Sequence, residues 1–98
     1  MDVALLYFDG CPNWVEAQQR LTEALTAVGA ESAYRLVPVT TVEDAERLGF
    51  RGSPTVLVDG RDPFAESDAP VGLSCRVYRT PDGLRGAPTV EQLVAVLR

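Results

Sequence analysis

The sequence predicts an α/β domain built on a mixed sheet with helices on both faces. Three observations carry that expectation: an opening run, residues 3–8, apolar at every position; an amphipathic stretch directly after it; and a strand, helix, strand, helix, strand, strand, helix order along the chain. A strand apolar on both faces needs cover on both. A strand that reaches the next one through a helix must pair with it in parallel. At 98 residues, 46% of them apolar, the chain suits one domain with one modest core, spanning residues 1–98.

Residues 3–8 read as a central strand, ended by Gly10 and Pro12. Over residues 14–28, Trp14, Val15, Ala17, Leu21, Ala24, Leu25 and Val28 recur at three- and four-residue spacing, with Glu16, Gln18, Gln19, Arg20 and Glu23 mostly between them. This is an amphipathic helix of about four turns, stopped by Gly29. Residues 34–39 form a second strand, after which Thr40 or Thr41 caps a short helix over residues 43–48 closed by Gly49; the Thr40 to Glu43 spacing is that of a capping box. Residues 56–58 give a third strand ending at Asp59-Gly60, and residues 76–80 a fourth ending at Pro81-Asp82-Gly83. These two are expected to be antiparallel neighbours. Thr89 or the loop before it starts the last helix, with Pro88 on the approach and Val90, Leu93, Val94, Val96 and Leu97 as its apolar stripe. Residues 61–73 make a long connection rich in Asp, Pro and Ala, either a functional loop or an ordered surface excursion.

Charge and composition exclude several chemistries. The net charge of -5 comes from 14 acidic against 9 basic residues without a basic block, so nothing attracts nucleic acid or an anionic membrane. All nine basic residues are arginine, and the absence of histidine rules out Cys-His and Ser-His-Asp sites and imidazole metal ligands. The glycines form no phosphate loop, no paired carboxylates suggest glycosidase chemistry, and no cofactor is expected. No apolar run approaches the ~18 residues of a membrane span and no basic signal segment precedes the first strand, so a cytoplasmic location is expected. In such a reducing compartment, two cysteines make a structural disulfide an unfavoured expectation.

Cys11 is the candidate reactive group. It lies between a strand and a helix start, where unpaired backbone N–H groups and the helix dipole favour a thiolate. Pro12 needs no donor in the first turn and leaves the sulfur near the N–H groups of Asn13 and Trp14. The alternative is a buried, inert cysteine acting as a small hydrophobe.

The segment Phe8-Asp-Gly-Cys-Pro-Asn-Trp14, followed by Gly52-Ser-Pro-Thr-Val56, resembles the active site of the thioredoxin-like superfamily, in which a Cys-Pro-x-Cys helix start faces a cis-proline loop. The resemblance implies a four-stranded mixed sheet of order 2-1-3-4, Cys11 as nucleophile and a cis bond at Ser53-Pro54. It also implies that Ser53 presents backbone groups to a partner, with Pro12, Asn13, Trp14 and Thr55 completing the substrate-positioning set. Trp14 stands where the family has its resolving cysteine. Release of a mixed disulfide must then come from an external thiol or from Cys75. Trp14 either shields the sulfur, stacks on a ligand, or packs on the loop of residues 61–73.

Cys75 opens the fourth strand, and in an ordinary hairpin it sits at the end of the sheet remote from Cys11. A disulfide needs Cα atoms within about 7 Å, so packing in the core is the expectation for Cys75, with a resolving thiol or an independent role as the alternatives. Asp59, Asp62, Glu66 and Asp68 lack calcium-loop order and read as a solvated acidic loop. Arg76, Arg79 and Arg85 suit either an anionic thiol ligand or a half-exposed strand.

The resulting expectation is a thiol/disulfide-active protein, a monothiol oxidoreductase if enzymatic. Its partners would be a low-molecular-weight thiol or a protein disulfide, with a homodimer possible. Two rivals stand beside it: a noncatalytic binding or dimerisation module, and soft-cation binding at the Cys11 thiolate, since the motif also looks somewhat like thioredoxin-like proteins found near organomercurial lyases.

Overall fold

The computed structural model describes residues 2–30, 34–65 and 70–98. Among these the elements are β1 (Val3–Tyr7), α1 (Asn13–Ala27), β2 (Arg35–Pro38), α2 (Val42–Leu48), β3 (Thr55–Val58), β4 (Tyr78–Thr80), β5 (Gly83–Arg85) and α3 (Val90–Leu97). β1 is the middle of a three-stranded sheet of order β2-β1-β3, parallel to β2 with Leu5 opposite Leu36, and antiparallel to β3 with Leu5 opposite Val56. Paired on both edges, β1 also buries both faces, and Val3, Ala4, Leu5 and Leu6 are at most 2% exposed.

The two-residue alternation of β1 divides the interior. Val3 and Leu5 pack with Ala17, Leu21, Ala24 and Leu25 of α1 and Leu93 and Leu97 of α3. Ala4 and Leu6 point the other way, onto Val39, Ala45 of α2 and Phe50. One face therefore carries α1 and α3, and the other carries α2. Both crossover helices end in left-handed glycines. At α1, Gly29 (φ 72) donates to the Thr26 carbonyl while Ala30 donates to Leu25; at α2, Gly49 (φ 66) lets Phe50 donate to Ala45 and drop into the core.

The four-stranded sheet of order 2-1-3-4 does not form. β4 pairs with β5 instead, in a separate two-stranded sheet with Tyr78 opposite Arg85 and Thr80 opposite Gly83. Both ends of the β3 edge close locally: Val58 bridges to Arg61 across the Asp59-Gly60 turn, and Ser53, just before β3, bridges to Cys75. Arg76 is drawn inward, so only Tyr78–Thr80 of the expected fourth strand remain extended, and Pro81-Asp82 folds them back onto Gly83–Arg85. The cap of α2 is Thr41, whose Oγ1 accepts from the Asp44 N–H, and no box forms at Thr40. The capping box belongs to α3, where Thr89 and Gln92 bond reciprocally and the Gln92 amide also donates to the Arg79 carbonyl of β4.

The layout sorts mutational costs. Phe50→Ala empties a fully buried site beneath α2 and is expected to cost about 4 kcal/mol. Leu84→Ala, on a hairpin residue that is 65% exposed, is expected to stay within about 0.5 kcal/mol. Urea unfolding of both variants checks the contrast, and equal costs would contradict this division of the core.

Candidate functional site

Cys11 is fixed by the turn out of β1. Its N–H donates to the Phe8 carbonyl at 3.0 Å, and Gly10 is required because a Cβ there would stand 2.6 Å from the Phe8 ring. α1 begins two residues later with Pro12 in the cap position and no side-chain cap, so the first N–H groups of the helix have no side-chain acceptor. Cys11 is completely buried.

Facing it is the Ser53-Pro54 bond, which is cis, with the Ser53 carbonyl 3.8 Å from Cys11 Sγ. The Ser53 N–H donates to the Ser74 carbonyl at 2.7 Å, and the Arg76 N–H donates to the Ser53 carbonyl at 2.8 Å. Both Ser53 backbone groups, which the resemblance assigns to a partner, are thus taken by the chain's own residues 74–76. Gly52 permits the approach: its φ is 115°, and a Cβ would meet Arg76 Cβ at 3.0 Å and Ser74 O at 3.3 Å.

This parallel bridge carries Cys75 to Cys11. The two are joined as a disulfide with Cα atoms 5.6 Å apart, 64 residues apart in sequence. The expectation of Cys75 at the remote end of the sheet, packed in the core, is therefore overturned on both counts, since the residue is exposed. The hairpin that would have placed it there is absent. Residues 74–76 lie instead against Ser53, at the cis-proline end, before β4 starts.

Arg76 locks the segment. Its side chain is 9% exposed; Nη1 lies 2.6 Å from Asp62 Oδ2 and donates to Thr55 Oγ1 at 3.2 Å, and Nη2 donates to the Phe64 carbonyl at 2.8 Å. The guanidinium also lies 4.6 Å over the Tyr78 ring, and the Tyr78 hydroxyl donates to the Pro54 carbonyl. Burial pushes the Tyr78 hydroxyl well above its ordinary value of 10.0, an effect that Arg76 opposes and Asp62 reinforces. The folded state therefore holds this proton where the unfolded chain releases it, so the contribution is complete below pH 10.0 and declines as pH rises beyond it.

The other predicted residues distribute unevenly. Trp14 stacks on Tyr7 with ring centroids 4.4 Å apart. Asn13 packs under Gly86, where a Cβ would come within 2.4 Å of its amide. Pro12 is exposed, and Thr55 Oγ1 donates to the Gly52 carbonyl at 2.7 Å. Asp62 is no solvated loop carboxylate, being paired with Arg76; Asp59 accepts from the Asp2 N–H; Glu66 and Asp68 lie outside the described residues. Arg76 is occupied internally and Arg85 is exposed on β5.

A pocket of about 350 Å³ opens beside the bridge, with Arg51, Phe64, Cys75, Tyr78 and Arg79 among its walls. Cys75 lines it and Cys11 does not. Among the described residues, no group of three or more Cys, Asp or Glu side chains is placed to hold a metal ion, and no helix is long and apolar enough to cross a membrane. No family model, curated protein or solved structure matches the chain. The chemistry of the two sulfurs therefore carries the functional reading.

Two substitutions examine the lock. Asp62→Asn leaves the buried Arg76 charge without its counter-ion and is expected to cost about 3 kcal/mol in urea unfolding of the oxidised protein. Ser53 Oγ is buried without a hydrogen-bond partner among the described residues, so Ser53→Ala is expected to leave the oxidised protein unchanged or up to about 1 kcal/mol more stable. A clear loss of Tm in Ser53→Ala would show that the hydroxyl has a partner.

Proposed function

We propose that this protein performs thiol–disulfide exchange with Cys11 and Cys75 as its working pair. The observation that carries the reading is their juxtaposition: a cysteine at an uncapped helix N-terminus, beside a cis-proline loop, bonded to a second cysteine that is open to solvent. A lone Cys11 would hold a mixed disulfide until an external thiol arrived. Cys75 at bonding distance removes that need, because closing the internal disulfide expels the bound thiol. The thioredoxin-like resemblance at Cys11-Pro12 and Ser53-Pro54 supports the same chemistry, with a low-molecular-weight thiol or a protein disulfide as partner in a reducing cytoplasm.

A second reading, a stabilising crosslink, is favoured by the 64-residue separation. Closing a loop of that size constrains the unfolded chain by about 4 kcal/mol in the chain-entropy model.

Equilibration in buffers of graded thiol-to-disulfide ratio, with alkylation read by mass, separates the two. Exchange predicts a reversible two-electron transition reported identically by both cysteines, and a loss of disulfide-reducing turnover of about tenfold or more in Cys75→Ser. A pair that stays oxidised in every buffer, with Cys75→Ser losing Tm and no activity to lose, would establish the crosslink.

A further inference from the structure

We infer that the bridge is entered at Cys75, from the adjoining pocket, by a low-molecular-weight thiol, and that Cys11 serves as leaving group and then as resolving thiolate. This assignment rests on the exchange reading above and reverses the order in which the two sulfurs would act if the helix-terminal cysteine were the point of attack.

Access decides the first step. An attacking thiolate must reach a sulfur, and Cys11 has no exposed surface at all. Cys75 is exposed and lines the 350 Å³ pocket, which is of a size for a small molecule and has Phe64 and Tyr78 as apolar walls. Leaving-group quality decides the same way. Exchange is faster when the departing sulfur is the better-stabilised thiolate, and only Cys11 lies at a helix start whose N–H groups lack a side-chain acceptor.

The steps balance as follows. A thiolate RS⁻ attacks Cys75 Sγ; the Cys11–Cys75 bond breaks and its electron pair leaves on Cys11 Sγ, giving Cys75–S–S–R and a Cys11 thiolate. A second RS⁻ then attacks the sulfur of R, releasing RSSR and a Cys75 thiolate, so two thiols are oxidised and the protein disulfide is reduced. Running backwards, the Cys75 thiolate attacks RSSR, and the Cys11 thiolate resolves the mixed disulfide and expels RS⁻. Residues 74–76 remain anchored throughout by the Ser53 bridge and the Arg76–Asp62 pair, which keeps Cys75 within reach of Cys11.

The test uses the oxidised 98-residue chain and a substoichiometric amount of 2-mercaptoethanol, quenched with acid, followed by alkylation of free thiols and peptide mapping. Mercaptoethanol is expected on Cys75 and the alkyl group on Cys11, in about tenfold excess over the reverse pattern. Because reclosure of the bridge by Cys11 competes with accumulation of the adduct, the reduced single variants are tested with hydroxyethyl disulfide as well: Cys11→Ser, which retains Cys75, is expected to react about tenfold faster than Cys75→Ser. Adducts on Cys11, equal labelling, or the opposite order of rates would overturn the assignment while leaving the pair redox-active. Failure of the wild-type bridge to exchange at any thiol concentration would overturn the exchange reading itself.

Discussion

A guanidinium held under the surface governs the cysteine end of this molecule. Burying the Arg76 guanidinium is tolerable only where opposite charge and oxygen acceptors surround it. Those partners come from separate stretches of chain: Asp62 and Phe64 from the loop after β3, Thr55 from β3 itself, and the Tyr78 ring from β4. Satisfying one side chain thereby gathers the loop, the cis-proline turn and the hairpin at one place. Cys75 precedes Arg76 by one residue, and its backbone is delivered to Ser53 by the same arrangement. The disulfide and the arginine's partners thus hold the same short segment in place.

This also explains the division of the strands. A fourth strand on the β3 edge would need residues 76–80 extended alongside it, with alternate side chains turned to opposite faces. Arg76 instead turns toward Asp62, Val77 stays 60% exposed, and Tyr78 turns in to meet Pro54. With the segment pinned at its start, the three residues that remain extended find a partner in the chain immediately following. The hairpin is secured to the body through the Gln92 amide and through Arg20, which donates to the Ala87 and Pro88 carbonyls.

Local periodicity made much of the fold legible. The unbroken apolar run at β1, the spacing of Leu21, Ala24 and Leu25, and the glycines at 29 and 49 each specify a backbone state without reference to distant residues. Cys11 at a helix start was legible in the same way, whereas the cis Ser53-Pro54 bond was expected only from the resemblance of two short motifs. What escaped was long-range. The contact between Cys75 and Cys11 joins residues 64 apart, and it goes with a Ser53 bridge and an Asp62 to Arg76 pairing that look, in sequence, like a turn, one acidic loop residue and one half-exposed strand residue. Aromatic stacking of Trp14 on Tyr7 was hidden for a related reason, since it joins the end of a strand to the first turn of the next helix.

The bridge has a topological side as well. In the oxidised chain, residues 11–75 form a covalent ring that contains α1, β2, α2 and β3, while β1 hangs from one side and β4, β5 and α3 from the other. A single peptide-bond cut anywhere inside the ring opens it without releasing a fragment; a cut in either tail frees one. The tail bearing β1 is the strand on which both faces of the core are built, and the covalent ring does not enclose it. In the oxidised protein only a cut in a tail divides the chain into two pieces, whereas after reduction a cut at any position does so.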